Sequence, residues 1–295
     1  MNVNQINSSD YKVPNDLEPK TRLESPRRNI QTSYDFVELS TKQGKKTKGR
    51  SLLAIALGSA IAVFGGVLAR KKETTDTPNK ALEQIEQKFL RLEENIDNVQ
   101  STFKDVFLRS DITKEDAINM LRRYKEIEKL RITGSRNEYA QALFDEAKTN
   151  YGLANLTSSL SMLDKANPNV QGFTTPLGEV MIYSTTKKDK FLNVIHHELR
   201  HLKQRYCAFN LSPEDYVRFN QPKNIKIPLE IFECAMGGKG SKDNIPADIL
   251  PFAQKSKDGI LSYQIATAGL KEHLAQWIEK DAWNTGNKIE DLLRK

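Results

Sequence analysis

The stretch that decides the fold is Val194-Ile195-His196-His197-Glu198-Leu199-Arg200-His201-Leu202, which reads His-Glu-x-x-His from His197 to His201. On a helix, residues four apart lie one turn apart on the same face, so the two imidazoles can bind one ion. Glu198 follows the first histidine directly, where its carboxylate could take a proton from a metal-bound water. The stretch therefore predicts a helix that carries a metal site with an adjacent base.

The residues around the motif predict which way its side chains face. At about 100° per residue, five apolar side chains fall within about 60° of a line through Ile195 and predict a buried stripe: Phe191, Leu192, Leu199, Leu202 and Tyr206. His197 and His201 fall opposite this stripe, so we expect them to face a cleft or solvent. Three of the four histidines stand at 196, 197 and 201, which favours a metal site over two solvated imidazoles. We expect His196 to be a supporting or surface residue.

The motif resembles the active-site helix of the zincin metallopeptidases, and the resemblance covers about the last half of the chain. In that family two histidines and a third protein ligand hold Zn²⁺, and the glutamate of the motif is the catalytic base, a role that falls to Glu198. The branch with His-Glu-x-x-His-x-x-Gly-x-x-His does not fit, because Gln204 and Cys207 stand at its last two places. Cys207 is only an outside candidate ligand. The resemblance implies that residues 111–295 form a mostly helical α+β metallopeptidase domain with a small sheet.

The gluzincin branch, in which a second helix supplies a glutamate ligand, fits better. Residues 228–236 read as a short helix that begins at a proline and ends before Gly237-Gly238. Its two acids, Glu230 and Glu233, share a face. The resemblance favours Glu230 as the third zinc ligand, with Glu233 as the close alternative. Two solvated acids on a surface helix remain the other interpretation.

The positive charge of the chain is concentrated near its beginning. The net charge is +7, residues 1–50 hold ten Lys or Arg against six Asp or Glu, and Arg70-Lys71-Lys72 adds three. Residues 73–295 are therefore neutral overall, and the charge distribution does not predict a nucleic-acid-binding surface. Residues 1–50 are polar without an apolar period, so we expect a disordered tail.

Residues 51–69 predict a single transmembrane helix. These nineteen positions hold no charged or amide side chain. At about 1.5 Å per residue the helix would be about 28 Å long, close to the hydrocarbon thickness of a bilayer. Five basic residues in the fifteen positions before it, against four in the fifteen after it, favour a cytoplasmic N terminus. The catalytic domain would then lie outside the cytoplasm.

A heptad pattern follows the apolar stretch. Its apolar positions are spaced alternately by three and four residues: Leu82, Ile85, Phe89, Leu92, Ile96, Val99, Phe103 and Val106. This spacing predicts a coiled-coil stalk over residues 79–108. We expect the seam to self-associate into a homo-oligomer, with folding of the seam back onto the body as the main alternative.

The remaining segments predict scaffold elements. Thr113 opens one helix, and Ser135 with Glu138 forms a capping box at the start of the next. Gly178–Ser184 reads as a strand. In zincins a strand just before the active-site helix forms the edge of the cleft and can pair with an extended peptide, and this strand stands in the corresponding place.

The two cysteines, Cys207 and Cys234, follow the two predicted ligand helices. We expect free thiols, and a disulfide is the alternative for an extracytoplasmic domain.

The combined prediction is a membrane-anchored, zinc-dependent metallopeptidase that acts on a peptide or protein substrate. The alternative is a membrane-tethered coiled-coil adaptor with a structural or inactive zinc domain. Glu198 favours the enzyme, because a structural zinc site does not need a base. The motif also leaves open a zinc hydrolase that acts on a non-peptide amide.

Overall fold

The computed structural model describes residues 76–164, 171–221, 225–262 and 276–294. These residues form a mostly helical α+β fold with a small three-stranded sheet, as the sequence predicts. The predicted disordered tail and the predicted transmembrane helix at 51–69 lie outside the described residues. Within the described ranges, no helix has the length and apolar character needed to cross a bilayer.

The elements follow one another as two helical pairs, the three strands and a second group of helices. In chain order they are α1 (Asp76–Glu94), α2 (Ile96–Phe107), α3 (Lys114–Thr133), α4 (Arg136–Asn150), β1 (Leu160–Leu163), β2 (Gly172–Thr174), β3 (Val180–Tyr183), α5 (Phe191–Leu211), α6 (Pro213–Phe219), α7 (Leu229–Ala235), α8 (Leu250–Leu261) and α9 (Trp277–Arg294). Both predicted helix starts are confirmed. Thr113 and Ser135 cap α3 and α4, each in a capping box with the acid three residues later.

The heptad segment forms α1 and α2, which are part of the body of the fold. The two helices meet at Asn95, and their seam enters the main core of the same chain. Its most buried members are Ile85, Phe89, Val99, Phe103 and Val106. An apolar seam needs an apolar partner, and α3 and α9 provide one within the chain. In the structure the seam therefore folds back onto the body of its own chain. This is the alternative to the self-associating stalk.

The sheet confirms the predicted strand and changes its role. Its order is β1-β3-β2, with β1 parallel to β3 and β2 antiparallel to it. The predicted strand at 178–184 is β3, which lies in the centre and cannot form an edge. β2 is the edge strand that packs against α5.

Helix α5 lies at the centre of the molecule, between α4, α8 and α9. Its predicted stripe is confirmed: Phe191, Leu192, Ile195, Leu199 and Leu202 are fully buried, and Tyr206 is half-buried. The opposite face is also covered, because α9 packs along it. The two helices approach closely at Gly286, where a Cβ would lie 2.7 Å from the carbonyl oxygen of Asn193. The histidine face of α5 therefore turns toward another helix rather than toward solvent.

Candidate metal centre

The structure brings together two histidines of α5 and one glutamate of α9. His197 Nε2 lies 3.1 Å from His201 Nε2. The carboxylate of Glu279 lies 3.6 Å from His197 Nε2 through one oxygen and 3.4 Å from His201 Nε2 through the other. His197 and Glu279 are buried, and His201 is nearly so. This His197-His201-Glu279 group, the metal cluster below, could hold a metal ion.

The spacing between the histidine Nε2 atoms and the carboxylate oxygens of Glu279 fits a small divalent ion. Zinc binds imidazole nitrogen and carboxylate oxygen at about 2.0–2.2 Å, so neighbouring ligands in a tetrahedral site lie about 3.3–3.6 Å apart. The two Nε2 atoms lie 3.1 Å apart, and they lie 3.6 and 3.4 Å from the two different oxygens of Glu279; one ligand atom from each of the three residues lies within 4.8 Å of the others. The donor set also fits, since two imidazoles and one carboxylate are a common zinc ligand set.

The third member of the cluster corrects the sequence-based choice. Glu230 was expected to be the third ligand, but it is exposed on α7, and neither Glu230 nor Glu233 joins the group that could hold a metal. Cys207, the outside candidate, is buried in a separate apolar cluster with Ile245 and Ile249. The carboxylate beside the histidines is that of Glu279.

A signal for Glu279 is present in the sequence of α9. The buried face of this helix is otherwise apolar or small, and it includes Ile278, Ala282, Gly286 and Ile289. Glu279 falls on that face, two helical turns before Gly286. An acid within the buried stripe of an amphipathic helix has to be paired or bound to a metal. Following the apolar period to the end of the chain could have identified it.

Helices α5 and α9 are locked together beside the cluster. The guanidinium of Arg200 donates two hydrogen bonds to Asp281, from Nε at 2.6 Å and from Nη2 at 2.9 Å. Its Nη1 donates to the carbonyl of Val106 at the end of α2. Gln204 donates from Nε2 to Asp281 and to the carbonyl of Ile278. These contacts hold α9 so that Glu279 faces the histidines.

The predicted base, Glu198, lies beside the cluster and is held by the sheet. Its Oε1 is 3.9 Å from His197 Nε2. The hydroxyl of Thr174, on edge strand β2, lies 3.0 Å from the other carboxylate oxygen. Burial raises the pKa of Glu198 to about 7, and the negative charge of Glu279 adds to that effect, while His201 and Thr174 oppose it. A bound cation would favour the charged form.

The histidines of the motif differ in their surroundings. Burial disfavours the charged form of His201, but the carboxylates of Glu279 and Glu198 and the hydrogen bond to Gln204 together raise the pKa of His201. His196 is fully buried, and its ring packs against Phe107, Tyr124 and Tyr151. Burial lowers the pKa of His196 to about 3. His196 is therefore a neutral core residue and lies neither on the surface nor among the ligands.

Two further features complete the surroundings of the site. The indole of Trp283 lies 4.5 Å from the ring of His197, centroid to centroid, and forms one wall beside it. The cysteines are both free, as expected, with Cys207 buried and Cys234 exposed.

No protein-family model, curated protein or solved structure matches this chain. The chemistry of the site therefore has to follow from its residues. A buried cluster of two imidazoles and one carboxylate that could hold a metal ion thus lies just beside a second buried carboxylate, that of Glu198.

Proposed function

We propose that this protein is a membrane-anchored, zinc-dependent metallopeptidase of the zincin type that hydrolyses peptide bonds. The observation that carries the proposal is the metal cluster with Glu198 adjacent to it. A structural zinc site needs only ligands, whereas this site also holds a buried carboxylate 3.9 Å from one of them. The membrane anchor rests on the apolar stretch at 51–69, and the slight excess of basic residues before this stretch favours a catalytic domain outside the cytoplasm.

The residues of the site have distinct roles in this mechanism. His197, His201 and Glu279 would hold the zinc, which supplies a water of lowered pKa and polarises the substrate carbonyl. Glu198 accepts the proton of the attacking water and returns it to the leaving amine. The hydroxyl of Thr174 lies 2.9 Å from the carbonyl oxygen of Glu198 and 3.0 Å from its Oε2, which leaves Oε1 as the carboxylate oxygen nearest His197.

The sheet supports a peptide as the substrate. β2 has β3 on one side and is an edge of the described sheet. Through Thr174 this strand also contacts the base directly. An extended peptide that adds to a sheet edge gains backbone hydrogen bonds along its length. Such a peptide would pair with the same strand that contacts Glu198.

The test compares the full-length chain with Glu198→Gln. Both are purified in detergent and loaded with zinc, then assayed for metal content and for cleavage of a mixed peptide library. We expect one zinc per chain in both proteins and cleavage by the unaltered chain alone. Glu230→Gln is the matched control, because it neutralises an exposed acid, and it should keep both zinc and activity.

Two results would contradict the proposal. Zinc-dependent cleavage that persists in Glu198→Gln would remove this residue as the base. Stoichiometric zinc without cleavage of any library peptide by the unaltered chain would favour the adaptor.

A further inference from the structure

The side chain of Gln204 joins the metal cluster to the Arg200-Asp281 ion pair. Gln204 lies one turn after His201 on α5 and is 1% exposed. Its Oε1 lies 2.9 Å from His201 Nδ1, the ring nitrogen that faces away from the cluster. Its Nε2 donates to Asp281 Oδ2 at 2.9 Å and to the carbonyl of Ile278 at 3.1 Å. Each polar atom of the amide thus has a partner.

These partners determine the orientation of the amide. The oxygens of Asp281 and Ile278 can only accept hydrogen bonds, and the carboxylate of Asp281 is held by Arg200. A flipped amide would turn its own oxygen toward two acceptors, which is unfavourable in a buried site. The NH₂ group of Gln204 therefore faces α9, and its oxygen faces His201.

The orientation of the amide in turn determines which nitrogen of His201 bears the proton. An amide oxygen can only accept, so the imidazole has to donate from Nδ1. In a neutral imidazole the other nitrogen is then a lone-pair acceptor. That nitrogen, Nε2, is the one that faces His197 and Glu279. The hydrogen bonds from α9 through Gln204 to His201 therefore leave the lone pair on Nε2, the atom that faces His197 Nε2 and Glu279, where a metal would bind.

We propose that Gln204 is a positioning residue that holds His201 in the Nδ1–H tautomer, with its Nε2 lone pair ready for the metal ion. The inference rests on the proposed metal site and deepens it. Without the amide, neutral His201 can place its proton on Nε2, and that proton has to be moved before a metal binds. Residues that hydrogen-bond a metal-ligating histidine typically contribute about 10–100-fold to metal affinity.

The experiment measures the tautomer and the metal affinity in the same proteins. The full-length chain is labelled with ¹⁵N-histidine, stripped of metal and studied by NMR. Because the pKa of His201 is raised above its ordinary value of about 6.5, the pH is increased until the His201 signals no longer shift, so that the ring is neutral. His201→Ala identifies the signals of His201. Zinc affinity is measured by competition with a chromophoric chelator. The variant is Gln204→Met, which keeps an unbranched side chain but lacks both the donor and the acceptor.

Gln100→Met is the matched control. Gln100 is a partly buried glutamine whose Nε2 donates to the carbonyl of Ile112, away from the cluster. We expect His201 to bear its proton on Nδ1 in the unaltered chain and in the control. Gln204→Met should show a new Nε2–H population and a zinc Kd raised about 10–100-fold. A merely structural role would lower the melting temperature of both variants without changing the tautomer.

Several outcomes would overturn the inference. A proton on Nε2 of His201 in the unaltered chain does so alone, even if Gln204→Met fails to fold. An unchanged tautomer in the variant, or a changed tautomer with unchanged zinc affinity, would also do so. An unaltered chain that binds no zinc would overturn the metal site and this role together. A chain that binds zinc and keeps Nδ1–H but cleaves no peptide would contradict the proposed function alone.

Discussion

Helices α7 and α9 both present acids after the histidine motif, and the structure uses them differently. α7 has seven residues, and Glu230 is exposed to solvent. α9 has eighteen residues, packs along the histidine face of α5, and buries Glu279 to 4% exposure. The acid closer in sequence to the motif is therefore the one outside the metal cluster.

The difference shows that packing determines which acid lies beside the two histidines. A short helix with exposed acids has no need of a metal, because water solvates its charges. A buried carboxylate is costly unless a cation or hydrogen bonds compensate it, and Glu279 has two imidazoles within 3.6 Å.

The largest effect is expected for Glu279→Gln compared with Glu230→Gln. The first removes the charged ligand, so zinc affinity should fall by more than the roughly 10–100-fold typical of residues that only hydrogen-bond a ligand. The second should leave affinity unchanged. Metal content after dialysis against a weak chelator measures both. Loss of zinc in Glu230→Gln with retention in Glu279→Gln would reverse the assignment.

Next in size is the ion pair that joins α9 to α5. Arg200 is 5% exposed, and Arg200→Met leaves Asp281 without its guanidinium. Removing one partner of a buried pair typically lowers the free energy of unfolding by about 3–5 kcal/mol. The exposed pair of Arg218 and Asp215 is the control, and Arg218→Met should cost less than about 1 kcal/mol. Urea unfolding of both variants gives the comparison; equal losses would refute the packing argument.

A smaller effect is expected where α9 approaches α5 most closely. Gly286→Ala would set a Cβ 2.7 Å from the carbonyl oxygen of Asn193, and backbone cannot yield as a flexible side chain does. We expect a loss of about 1–3 kcal/mol despite the better helix propensity of alanine, together with weaker zinc binding as Glu279 shifts. Asn284→Ala, at an exposed position of the same helix, is the control. A higher free energy of unfolding in Gly286→Ala would contradict the close approach of α9 to α5 at this position.

An effect of similar size is expected for Glu198, the acid that lies beside the cluster. Thr174→Val keeps the shape of the side chain but removes the hydroxyl that reaches the carboxylate. A hydrogen bond to a charged group contributes about 1.5–3 kcal/mol, so kcat/KM of a zinc-loaded chain should fall about tenfold or more while zinc content stays constant. Thr149→Val removes an exposed hydroxyl far from the site and should have no effect. A loss of zinc in Thr174→Val would mean that the strand supports the ligands.

The local parts of this protein could be predicted from its sequence. The two capped helices, the buried stripe of α5 and the pairing of His197 with His201 follow from hydroxyl caps, from the helical period and from a spacing of four residues. All of these are set within one or two helical turns. Five of the eight apolar side chains of the heptad seam are buried in the fold: Ile85, Phe89, Val99, Phe103 and Val106.

Only the tertiary structure determined which elements pack against these helix faces. A heptad seam is the same whether it packs on another copy or on its own chain, and the presence of α3 and α9 made the intramolecular contact available. The same reason explains why Glu279, rather than the predicted Glu230, lies beside the two histidines. An isolated helix determines which side chains share a face, whereas a third ligand from elsewhere in the chain depends on which helix packs against that face. Here that packing depends on Gly286 and on the Arg200-Asp281 ion pair, whose partners lie on different helices.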